Sequence, residues 1–385
     1  MVKIDPVKLT ADLIRCNSVT PNEGGALVLL ENILSNHGFR CTRIIRNNIT
    51  NLFARWGKAE NGLTFCFNGH TDVVPTGDLK WWSSDPFSAK KKNGYMFGRG
   101  ATDMKSGVAA FVAAAIDYCH ANNPKGSVTL AITGDEEGKA TDGTLAIMDW
   151  MKKNNEHINH CLVGEPTSKL LLGDTIKIGR RGSLTIKFTA VGRQGHTAYP
   201  EKARNPLQGL TRLLFNLINS PLDSGSDQFD PSSLEITSVD TGNLATNVIP
   251  ESSVAIVNIR YNTLHTPDSL LNWLKKEVAK IEKLSGITFS LTSNVSALPF
   301  LSDTSKFSSI IAKTIKEELN IETSLSTSGG TSDARFLHEL CPVVEFGLVG
   351  SSMHQTDENV EIKQINELTN VYYKILQNYF QTDMG

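Results

Sequence analysis

The sequence contains no apolar run near the ~18 residues that a membrane-spanning helix needs. It has no CxxC pair, which excludes zinc-ribbon and thioredoxin-like spacings. It also lacks the glycine-rich loop with a following lysine that cradles phosphates in nucleotide hydrolases. Nor is one charge in surplus. Its 38 Lys and Arg face 40 Asp and Glu, a net charge of −2, so neither a basic stripe for nucleic acid nor a polybasic membrane patch is expected. Six cysteines (Cys16, Cys41, Cys66, Cys119, Cys161, Cys341) lie scattered, and the N-terminal stretch reads as a short amphipathic helix rather than a signal peptide with an apolar core. Reduced thiols and a cytoplasmic location are therefore expected.

What is present is a chain of 385 residues with 40% hydrophobic and 20% charged content, the composition of a globular protein too long for one ordinary core. Helices are expected at 6–17, 25–37, 105–121 and 142–153. Apolar strands at 63–67, 127–133 and 161–163 alternate with them, and weaker strands fall at 41–46 and 52–56. That alternation argues for an α/β layer whose sheet is mixed but mostly parallel and flanked by helices. From Gly182 the pattern changes. Strand 183–191, helix 206–218, strands 234–240 and 252–261, helix 267–284 and strand 287–292 follow the β-α-β-β-α-β order of a ferredoxin-like α+β unit. The chain then returns to helix at 305–319 and 333–340, strand at 343–347 and helix at 363–380. The expected plan is a first domain made of 1–180 and 295–385, with residues 181–294 inserted.

Three apolar strands each end in a carboxylate or an imidazole: His70 and Asp72, then Glu136 and Glu137, then Glu165. A fourth, 343–347, leads through a short loop to His354, and a glycine-punctuated turn places Asp103 before an apolar helix. The carboxyl ends of strands in an open α/β sheet share one edge, where ligands bind. These residues are therefore expected to converge. So many carboxylates with no matching Arg or Lys repel one another, and cations are the simplest compensation. Imidazole and carboxylate together suit zinc. A pair of cations bridged by one carboxylate would use five protein ligands. Asp72 is expected to orient the His70 ring. The neighbours Glu136 and Glu137 are expected to point opposite ways, one binding metal and the other acting as base. Singly, each of these residues also reads as an ordinary turn, cap or surface group. His120, His157, His160, His265 and His338 keep that plain reading.

The strings GHTDVVP at 69–75, GRGATDMK at 98–105, GDEEG at 134–138 and GEP at 164–166 resemble the co-catalytic zinc peptidase and deacylase family, over nearly the whole chain. GRRGSL at 179–184, QGHTAYP at 194–200, NVIP at 247–250 and GGTSDARF at 329–336 look most like its desuccinylase branch. The resemblance implies Asp103 as bridging ligand, His70 and Glu165 completing one zinc, and Glu137 and His354 the other. Cobalt is an allowed substitute. It implies Glu136 as general base, with Asp72 also among the catalytic residues. It also implies an inserted domain that forms a homodimer, His196 reaching the partner's active site, and substrate contacts from Arg180, Asn247, Arg260, Gly330 and Thr331. The implied reaction is hydrolysis of an N-succinylated diamino dicarboxylic acid. Acetylornithine deacetylation, aminoacylase action and dipeptide cleavage stand as neighbours within the family. A two-metal phosphoesterase and a non-catalytic metal-binding assembly protein are more distant readings.

Overall fold

In the computed structural model, which describes residues 3–58, 62–302 and 305–382, the chain divides into two units. The first comprises Met1–Ile178, Ser302–Ser326 and Ser332–Gly385; the second comprises Gly179–Leu301 and Thr327–Thr331. The chain thus leaves the first unit after Ile178. The inserted unit's strand Thr288–Ala297 runs past position 295, the short strand Phe300–Leu301 follows, and the return comes only at Ser302. The short stretch Thr327–Thr331 also belongs to the second unit, an excursion that no local pattern announces.

The first unit is built on an eight-stranded sheet, in spatial order Arg40–Arg46, Ile49–Trp56, Ser127–Thr133, Thr64–His70, His160–Val163, Val343–Glu345, Thr175–Lys177 and Ser324–Ser326. The four strands at its middle, from Ser127–Thr133 to Val343–Glu345, pair in parallel. They are short, β-branched or aromatic, and buried on both faces, as parallel strands require. Alternation along Thr64–His70 sends Phe65 and Phe67 to one face and Cys66, Asn68 and His70 to the other. The aromatic face meets helix Ser106–Asn122, where Phe67 stacks on Phe111 with ring centroids 4.1 Å apart. That helix is apolar nearly all round because helices Pro6–Arg15 and Ile362–Gln381 also pack on it. Burying each such ring contributes about 2–3 kcal/mol, which anchors the strand that ends in His70.

The second unit has a four-stranded antiparallel sheet in spatial order Ser233–Asp240, Ser252–Tyr261, Gly182–Val191 and Thr288–Ala297. Leu184, Ile186, Phe188 and Ala190 from one strand, and Ala255, Val257, Ile259 and Tyr261 from the next, face helices Pro206–Ile218 and Pro267–Ser285. With the helices in sequence this is the ferredoxin-like order. All six cysteines carry free thiols. Among the described residues, no helix is long and apolar enough to cross a membrane.

Sequence and structure differ in small elements. The helix expected at 333–340 is only Ala334–Leu337, and the strands Thr175–Lys177 and Ser324–Ser326 were not anticipated. Three residues carry too little periodicity to be recognised. Their strand character comes from docking on the edge of a sheet already formed.

Candidate active site

The parallel strands deliver their last residues to one edge. His70 ends its strand, and the pairing continues as Thr71 N–H donates to the Thr133 carbonyl (3.1 Å) and Gly164 N–H to the Asn68 carbonyl (2.9 Å). The segments bearing Glu136, Glu137 and Glu165 therefore start beside His70. Gly164 permits this approach, since a Cβ there would lie 2.4 Å from the Phe67 ring and 2.7 Å from the Met104 methyl. Asp103 comes from the turn before helix Ser106–Asn122, which opens at Gly100 with φ 83°, a left-handed conformation that suits glycine. His354 sits at φ 60°, which costs a non-glycine residue about 1–2 kcal/mol and marks a turn held by its surroundings.

The geometry joins these residues in two groups around Asp103. Its Oδ1 lies 3.2 Å from His70 Nε2, which is 3.7 Å from Glu165 Oε1. Its Oδ2 lies 3.3 Å from His354 Nε2, which is 2.8 Å from Glu137 Oε1. A cation bound at 2.0–2.2 Å by tetrahedral ligands needs donor atoms about 3.3–3.6 Å apart. The separations at Asp103 and Glu165 are close to that. His354 and Glu137, hydrogen-bonded at 2.8 Å, must part by about 0.5 Å to admit a cation. A third grouping, His70 with Glu136 and Glu137, also falls within 4.8 Å. The two glutamates therefore do not diverge as an extended strand would make them. Residues 136–138 form bends, where period-two alternation does not hold.

Asp72 acts differently from its expected role. The His70 Nδ1 bond goes to the Asp72 main-chain carbonyl (2.9 Å), while the carboxylate is 3.7 Å from that nitrogen. The carboxylate instead accepts from Thr20 Oγ1 (2.7 Å) and from the backbone N–H of Glu136 (3.2 Å) and Glu137 (3.1 Å). It fixes the backbone from which both glutamates project. The expectation of no nearby Arg or Lys is also corrected. Arg99 and Lys105 are buried beside the Asp103 turn, but Arg99 is engaged by Glu358 at 2.7 Å and Lys105 Nζ by the Cys16 carbonyl at 2.8 Å. Sequence reasoning missed Glu358 and Thr20. No pattern singles out either, since each acts through partners far away in the chain.

Electrostatics follow from crowding. Burial pushes the Glu136 carboxyl well above the usual range against the pull of His70, with Asp333, Glu137 and Asp103 adding to the rise. Burial and the Asp103 charge raise Glu165 likewise. Burial alone would raise Asp103, but bonds from His354 and His70 hold it well below the ordinary carboxylate value. The same contacts with Asp103 and Glu137 lift His354 to about 10.

The expected substrate residues and His196 all lie in the second unit. Arg180 Nη1 donates to the Gly330 carbonyl (2.9 Å), tying down the loop that bears Gly330 and Thr331. Burial and the neighbouring Arg181 charge lower Arg260, and it has no ion-pair partner among the described residues. Asn247 is exposed, and its carbonyl accepts from Thr197 N–H (3.1 Å). His196 is exposed on a short strand paired with Val248–Ile249, its Nδ1 accepting from Ala198 N–H (3.0 Å).

Residues 66–378 match the model of peptidase family M20/M25/M40. The chain is 55% identical over 377 residues to a succinyl-diaminopimelate desuccinylase of Cereibacter sphaeroides, covering 98% of this chain and 99% of that one. Among solved structures, the aminopeptidase PepT of Bacillus cereus aligns with a TM-score of 0.79 at 18% identity, over 98% of this chain and 99% of the other. A dinuclear metal-binding peptidase of Bacillus subtilis aligns with a TM-score of 0.73 at 14% identity, over 97% and 98%.

Proposed function

The chain belongs to peptidase family M20/M25/M40, and we propose that it is an amide hydrolase cleaving N-succinyl-LL-2,6-diaminopimelate to succinate and LL-diaminopimelate. The observation that carries the chemistry is Asp103, whose two oxygens face two separate donor groups with Glu136 alongside. The choice of acyl group rests on the 55% identity to the Cereibacter enzyme.

In this reading His70, Asp103 and Glu165 hold one divalent cation, and Asp103, Glu137 and His354 the other. The mixed donor set favours zinc, with cobalt able to substitute. When bound, the cations supply Lewis-acid polarisation of an amide carbonyl and acidify water. Glu136 takes a proton from the water whose oxygen bonds to the carbonyl carbon. It then delivers that proton to the amine nitrogen as the C–N bond breaks. Asp72 keeps Glu136 in place through the backbone. The second unit pairs two copies as a homodimer, and His196 of the partner subunit donates to the oxyanion. Arg260, with Asn247, Gly330 and Thr331, receives the substrate carboxylates, for which a guanidinium fork is suited. Arg180 supports them by holding their loop and adds a charge of its own. The enzyme works in the cytoplasm.

The deciding experiment compares kcat/KM on N-succinyl-LL-2,6-diaminopimelate and on N-acetylornithine with the same metal-loaded sample. A large preference for the succinyl substrate is expected. The reverse preference would move the chain to the acetyl-removing relatives and leave the hydrolytic chemistry standing.

Cation binding is expected to release protons. His354, raised to about 10, is protonated at neutral pH in the metal-free protein. Its raised value contributes fold stability fully present below the unfolded value and lost as pH rises through about 10. Binding requires the neutral ring, and the raised Glu165 must also be ionised. Affinity should therefore increase with pH. Calorimetric titration at pH 7 in two buffers of different ionisation heat measures the protons released. A count of zero would remove His354 from the ligand set.

A further inference from the structure

The turn bearing Asp103 is shaped by a carboxylate more than 250 residues away. Glu358 is 0% exposed, and both of its oxygens are fully used. Oε1 accepts from the backbone N–H of Thr102 (2.9 Å) and of Asp103 itself (3.1 Å). Oε2 accepts from Gly100 N–H (3.0 Å) and from Arg99 Nη1 (2.7 Å). Arg99 is 2% exposed and its guanidinium lies over the Trp82 ring at 5.2 Å. It donates onward to the carbonyls of Gln355 (3.2 Å), Pro75 (3.4 Å) and His354 (3.4 Å). One buried ion pair thus grips three stretches of main chain: the segment leaving His70 and Asp72, the Asp103 turn and the His354 loop.

We propose that the Arg99–Glu358 pair is the positioning element of the Asp103–Glu137–His354 cation site, fixing the spacing of Asp103 and His354. This rests on the two-cation reading above. A buried ion pair is a weak source of net stability compared with well-packed apolar residues, so stability alone does not account for placing one here. The pair's contacts go to main chain at the ligands themselves: the N–H of Asp103 and the carbonyl of His354, which sits at φ 60°. The other group shares Asp103 but draws the rest of its support elsewhere. His70 ends a fully buried strand and Glu165 leaves the adjacent one, so they depend on the sheet. Loss of the ion pair therefore disturbs the shared Asp103 in both groups but also displaces His354, so the Asp103–Glu137–His354 site weakens more than the other.

Glu358→Gln tests this with little change of shape. Each Glu358 oxygen takes two donors, so the carboxamide NH2 faces donors in either orientation and the turn must move. The full-length protein is stripped of metal and titrated with Co2+ against a competing chelator, following the cobalt absorption spectrum. Wild type is expected to take two cations. In Glu358→Gln one cation should bind with only a small loss of affinity and the other about 10–100-fold more weakly, with the two-cobalt spectrum recovered at high Co2+. A purely structural role would lower the melting temperature without changing the ratio of the two affinities, and that result overturns the proposal. So does an equal fall in both affinities. Arg99→Lys keeps a charge beside Glu358 but loses the fork towards Pro75 and His354. It should show the same selective loss in smaller measure, and it serves as the test where Glu358→Gln fails to fold by circular dichroism. Wild type taking a single cation would instead defeat the two-cation reading itself.

Discussion

Replacing Glu136 with alanine is expected to leave both cations bound and to reduce turnover by about 10²-fold or more. The reason lies in how the two adjacent glutamates differ. Glu137 Oε1 is 2.8 Å from His354 Nε2 and belongs to a group centred on Asp103. Glu136 has no such bond to an imidazole, yet its carboxyl stands close enough to His70 and Asp103 to feel both charges. Its raised carboxyl is suited to moving a proton near neutral pH, where an ordinary glutamate would be too weak a base. Glu136→Gln makes the argument sharper, because it keeps the shape and removes only the ability to accept the proton. Bound metal and kcat would be measured on the same samples. Near-normal turnover in a metal-replete variant would exclude Glu136 from proton transfer. Loss of one cation together with activity would make it a ligand, which the proximity of His70, Glu136 and Glu137 allows geometrically.

Much of this site could be read from the sequence because it is built on the part of the fold with the strongest signal. Thr64–His70, Ser127–Thr133 and His160–Val163 are uninterrupted buried strands, and each leads within a few residues to a metal-binding type of side chain. Parallel pairing then dictates that those ends coincide. Asp103 needed more than periodicity, since only the surrounding glycines and the motif mark its turn. What could not be read was whatever joins distant segments through the main chain. Asp72 looked like a partner for the His70 ring, but its carboxylate binds two backbone N–H groups some 64 residues on. Glu358 and Arg99 sit in stretches without alternation, and their pairing exists only because the strand Asn359–Glu361 docks on Tyr95–Phe97. The unit boundary was hidden for the same reason. Thr327–Thr331 belongs with the inserted unit, where Arg180 holds the Gly330 carbonyl. Hydrophobic pattern specifies elements; it does not specify the polar contacts that set a loop to within an ångström.

Two inactive variants are expected to regain activity when mixed. His196→Ala should lower kcat by about 10²–10³-fold, the usual effect of removing one oxyanion donor, with metal content unchanged because His196 lies in the second unit and every proposed ligand in the first. Glu136→Ala is inactive for a different reason. If His196 serves the partner's site, a dimer of one His196→Ala and one Glu136→Ala subunit has one site with both groups intact and one with neither. Random exchange gives about half mixed dimers with one working site of two, so about a quarter of wild-type activity should return. If each subunit uses its own His196, every site keeps one defect and mixing restores nothing. The exposure of His196 on its short strand, bonded only to its own turn through Nδ1, leaves Nε2 free to donate outward. Single-variant samples subjected to the same exchange serve as the baseline. Recovery above that baseline requires both a dimer and a shared site, so one measurement tests the assembly and the role of His196 together.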